Sequence, residues 1–82
     1  MFKNKASRGR NNLSGQKIAQ LRKSKQPKVS QRALADMCQL YGLDIDKNAI
    51  QRIESGQRFV TDIELSCFCK IFNVQANDLF SD

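Results

Sequence analysis

From Leu13 onward the apolar residues recur at spacings of three and four, with polar residues filling the positions between them. That is the period of a helix with one buried side, and the two-residue alternation of a half-buried strand is nowhere sustained. Leu13, Ile18 and Leu21 mark a first helix over 15–24, with Ser14 as its N-cap and Leu13 closing a hydrophobic staple onto Ile18. Pro27 ends this stretch, because proline lacks a backbone donor and disfavours helical geometry in the residue before it. Ser30 caps a second helix over 31–41, which carries Ala33, Leu34, Met37, Cys38 and Tyr41 and stops at Gly42.

The next connection holds two apolar anchors, Leu43 and Ile45, and ends in Asp46, a side chain suited to capping a third helix, with Asp44 as the competing cap. That helix, over 47–55, has Ile50 and Ile53 as its only large apolar residues and Gly56 as a left-handed terminator. Thr61 and Glu64 form a capping box ahead of a fourth helix over 62–72, striped by Leu65, Phe68, Cys69 and Phe72. Phe59 is expected to fill the gap between the third and fourth helices. A short turn over 76–80 offers Val74, Leu79 and Phe80 to close the core. The expected fold is all-α, a compact five-helix bundle over 13–82, preceded by a flexible basic arm over 1–12 that has almost nothing to bury.

Charge sharpens this picture. Residues 1–32 carry ten Lys or Arg and no acid, while residues 33–82 hold four basic residues against eight acidic ones, a net −4. Ten unopposed positive charges at one end point to a polyanionic partner, nucleic acid before an anionic membrane. Three cysteines, Cys38, Cys67 and Cys69, are an odd number without zinc-site spacing or a histidine, so they read as small buried hydrophobes in a reducing cytoplasm. No apolar run nears the roughly 20 residues of a membrane span, and no secretory leader is visible. With no histidine, no glycine-rich phosphate loop and no paired carboxylates, neither an enzyme nor a cofactor or metal site is expected.

The third helix carries the chemistry. Lys47, Asn48, Gln51 and Arg52 share the side opposite Ile50 and Ile53. Asn and Gln match the edge of adenine with two hydrogen bonds, and Arg or Lys matches guanine, so these residue types in this pattern suit base reading in a major groove.

Four segments in order, Ser30-Gln31 with Leu34-Ala35, Ile50-Gln51-Arg52-Ile53-Glu54-Ser55-Gly56, and Phe72-Asn73-Val74-Gln75 before Leu79, resemble the phage-repressor and Cro-type helix-turn-helix family over about residues 13–80. The resemblance implies a lambda-repressor-like bundle whose second and third helices form the helix-turn-helix, and a transcriptional regulator, commonly a dimer. It marks Lys47, Asn48, Gln51 and Arg52 as base-facing, with Gln31, Lys28, Ser55 and Arg58 as phosphate contacts and Glu54 as structural. Two departures stand out: fifteen steps from Ala35 to Ile50, about five more than the motif usually has, and Val60 where the family often has proline. The expectation is therefore a double-stranded DNA binder working as a homodimer on an inverted repeat, with repression the expected sign. The alternative is a protein-interaction module on the same scaffold, such as an antitoxin-like partner.

Overall fold

A helix begins most readily at a residue whose side chain can satisfy its free N–H groups, and three of the five helices here do so. In the computed structural model, which describes residues 9–80, the chain forms α1 (Gly15–Ser24), α2 (Gln31–Leu40), α3 (Lys47–Ser55), α4 (Asp62–Phe72) and α5 (Ala76–Phe80), with no strand among the described residues. Ser30 Oγ accepts from Ala33 N at 3.0 Å and Asp46 Oδ1 from Ala49 N at 2.8 Å, which settles the choice of cap for α3. Thr61 and Glu64 complete a reciprocal capping box on α4.

Every helix gives the centre at least one fully buried side chain: Ile18, Leu34 and Cys38, Ile50 and Ile53, Phe68, and Leu79. Sealing a residue of this size from water stabilises by about 1.5–3 kcal/mol, so these positions dominate the fold. α3 packs on α1 and α2, α2 reaches α4, and α5 closes against α1 and α4. The radius of gyration, 12.1 Å, is that of a compact chain of this size. No helix is long and apolar enough to cross a membrane among the described residues.

Five expectations change. Ser14 makes no side-chain cap; Asn12 Oδ1 accepts from Gly15 N at 2.7 Å instead, because the chain reaches α1 from the C-terminal end of α3 and brings Asn12 to its mouth. α2 ends one residue early, and Tyr41 serves as its C-cap, more than half exposed. Phe59 is 57% exposed and so is not core; it sits on the wall of an open groove of about 150 Å³ that Leu13, Leu65 and Phe80 also line. Leu13, at 63% exposure, forms no buried staple, and Phe80 is also exposed while its neighbour Leu79 takes the buried position.

Most of the basic arm, residues 1–8, lies outside the described residues. Residues 10–12, expected to belong to it, are tied to the end of α3 by hydrogen bonds from Arg10 to Glu54 O, Asn11 N to Gly56 O and Asn12 to Ile53 O. The extra residues between α2 and α3 are an ordered connection: Ile45 is buried, Leu43 N donates to Cys38 O, and Gln39 Nε2 donates to Ile45 O. Cys38 and Cys67 are buried free thiols, as small hydrophobes would be. Burial, with Cys67 beside it, pushes the Cys38 thiol up to about 12.

Candidate nucleic-acid interface

α3 is fixed at both ends and on one side. Asp46 closes its start, and at its finish Gly56, at φ +82°, lets its own N–H reach Ile53 O and the Gln57 N–H reach Arg52 O. Ile50 and Ile53 are fully buried. At 100° per residue, Lys47, Gln51, Ser55, Asn48 and Arg52 then spread over an arc of about 140° on the other side, and all five are exposed. The four base-facing candidates therefore share one solvent-facing surface, and Ser55 lies within it.

The electrostatics of that surface are set by Glu54, the sole acid on α3, whose carboxylate turns away from solvent. Its Oε2 accepts from Arg22 Nε at 2.7 Å, and its Oε1 accepts from Arg22 Nη2 at 2.8 Å and from Gln31 Nε2 at 3.0 Å. The bond to Glu54 raises the pKa of the Arg22 guanidinium, outweighing the opposing effect of partial burial. Arg22 also donates from Nη1 to Val29 O, just before the α2 cap. One ion pair thus joins α1, the start of α2 and α3, and Lys47 and Arg52 on the α3 face form no ion pair among the described residues.

Helix ends add a second feature. The first turn of α2 holds no acid, and exposed Lys28 and Arg32 flank its capping Ser30, whereas α4 carries Asp62 and Glu64 at the same place. A helix start with free N–H groups and basic neighbours suits an anion. Arg32 and Lys47 also line opposite sides of an open groove of about 270 Å³ between α2 and α3, together with Asp36 and Asp46.

The four candidate phosphate contacts divide. Lys28 and Ser55 are exposed, although the Ser55 hydroxyl donates to Arg52 O. Gln31 is half-buried with its amide on Glu54. Arg58 is half-buried with Nη2 at 2.7 Å from Glu64 Oε2, inside the capping structure of α4.

Sequence reasoning missed the residues that hold the end of α3 in place. Asn12 Nδ2 donates to Ile53 O at 3.0 Å and to Arg58 O at 2.8 Å, fixing the loop after the helix. Arg10 lies across Gly56, where an added Cβ would meet its Cζ at 2.8 Å, and Gly15 sits where any side chain would overlap the Ile53 carbonyl. Asparagine is as good an N-cap as serine, so Asn12 was a readable signal two residues upstream of Ser14. The tertiary bonds of Arg10 left no local trace. Comparison with protein-family models, with curated proteins and with solved structures finds no match to this chain.

Proposed function

We propose that this protein is a sequence-specific double-stranded DNA-binding transcriptional regulator, a repressor, that reads the major groove with α3. The observation that carries the reading is the exposed face of Lys47, Asn48, Gln51 and Arg52 on a helix whose other side is anchored by two fully buried isoleucines. Such a face offers two amides and two cations to base edges without exposing the core. In this reading α2 and α3 form a lambda-repressor-like helix-turn-helix, and the start of α2, with Lys28 and Arg32, lies against a phosphate. The protein acts as a homodimer on an inverted repeat and occludes the transcription machinery there.

Charge supports affinity and α3 supports choice. Basic side chains on phosphates give binding that falls steeply with salt, and each good bidentate base contact discriminates by roughly 1–3 kcal/mol. Selection from randomised duplexes tests this directly. Wild type should enrich one inverted-repeat motif, and Arg52→Ala should lose preference at one position of each half-site. Identical profiles for the two proteins, or retention that is blind to sequence and vanishes with salt, would refute base reading and favour the protein-interaction module.

A further inference from the structure

One face of the molecule is neither basic nor accounted for by DNA reading. Along α4 the exposed residues Asp62, Ser66 and Lys70 follow each other every four positions, which puts them in one stripe, and Ile63 flanks it at 70% exposure. These four, with Tyr41 and Leu43 from the connection just after α2, line an open groove of about 320 Å³. Leu40, 87% exposed, stands next to it in sequence. Large apolar side chains left this open, beside charges that form no ion pair among the described residues, mark a surface awaiting a partner.

The order of the charges says which partner. The stripe reads negative, small, positive, from Asp62 through Ser66 to Lys70 over about 12 Å of helix. Turned end for end about Ser66, it is its own complement. An antiparallel copy sets Lys70 opposite Asp62 and Asp62 opposite Lys70, with the two Ser66 side chains at the crossing, where small residues let helices approach closely. Ile63 and Tyr41, which line the groove, then cover one another on either side. The face carries no net charge, so the contact itself sets no like charges together although each copy has a formal charge of +6. A uniformly acidic or basic partner would satisfy one end and oppose the other.

We infer that this α4 face is the two-fold interface between two copies of the chain. The inference rests on the homodimer of the proposed function and supplies its surface, and it is tested without DNA. Sedimentation velocity of the full chain over a concentration series should show a monomer–dimer equilibrium. Asp62→Lys and Lys70→Asp alone should each raise the dimer dissociation constant at least about tenfold, by setting like charges together at both ends. The double variant Asp62→Lys/Lys70→Asp should return it to near the wild-type value. That restoration separates an interface from a stability effect, because both substitutions oppose the helix dipole and the double variant should melt lowest of all by circular dichroism. Ile63→Ser, in an exposed residue that lines the groove, should weaken the dimer with charge unchanged. A wild type that stays monomeric at every concentration, single variants that dimerise like wild type, or a double variant no better than the singles would each overturn the inference. Loss of base preference with the dimer intact would sink the DNA reading alone.

Discussion

At the scale of the residue, two positions act against their usual tendencies. Glycine inside a helix is ordinarily improved by alanine, by about 1 kcal/mol. At Gly15 the sign reverses, because a Cβ there would overlap the Ile53 carbonyl and lie 2.8 Å from Asn12 Oδ1. Gly15→Ala should therefore destabilise by about 1–3 kcal/mol through forced separation of α1 from α3, read as a lower urea midpoint. A neutral or stabilising result would show that the two helices can move apart freely. Cys38 makes the second case, since its thiol holds its proton up to about pH 12 in the folded chain, whereas an unfolded thiol loses it near pH 8.5. Between those values the unfolded state binds fewer protons, so stability is intact below about pH 8.5 and declines above it, by up to about 1.4 kcal/mol per pH unit. Urea unfolding from pH 7 to 11 should show this decline, and Cys38→Ala should show a shallower one. Equal slopes would mean that the buried thiol does not govern alkaline unfolding.

At the scale of the element, structure was most legible in the sequence where a local signal acts alone. Apolar spacing together with Asp46, Gly56, Thr61 and Glu64 located α3 and α4 to the residue, because caps and left-handed terminators are chemistry within one turn. Legibility was poorest where the partner is distant in sequence. Nothing near Phe59 or Leu13 says that both stay exposed on the wall of one open groove, and nothing near Gln31 says that Glu54, 23 residues on, holds its amide. Hence the α3 face was legible and half of the candidate phosphate contacts were drawn inward. The same limit hid the docking of residues 10–12, which yields a prediction about the basic segment. Deleting residues 1–8 removes Lys3, Lys5 and Arg8 while sparing every bond that Arg10, Asn11 and Asn12 make to α3 and the loop after it. That deletion should keep the urea midpoint and flatten the dependence of log K on log salt by no more than about three units, at ~0.9 per phosphate contact. Deleting residues 1–12 should in addition lower stability by a few kcal/mol, at about 1 kcal/mol per lost hydrogen bond and more for buried groups left unpaired. Equal midpoints for the two deletions would mean that the Asn12 bonds contribute nothing.

At the scale of the whole molecule, the proposed reading head and the proposed dimer face occupy different helices, so each can be damaged without the other. α3 is set by the Arg22–Glu54–Gln31 network and the two isoleucines, while Asp62, Ile63, Ser66 and Lys70 of the α4 face are all exposed. A two-fold dimer binds half-sites whose centres lie about one helical turn of DNA apart, or a multiple of it, and the second half-site binds from an already tethered protein. Ile63→Ser on α4 changes neither charge nor any residue of α2 or α3, so affinity for an isolated half-site should match wild type within about twofold. Affinity for the inverted repeat should fall at least tenfold, because the variant must now bring in two independent monomers. Mobility-shift titrations of the two duplexes at one fixed salt concentration measure both quantities. An equal fall on both would place Ile63 in the fold of the DNA-binding surface, and no fall on either would mean that the protein reads its repeat without the α4 contact.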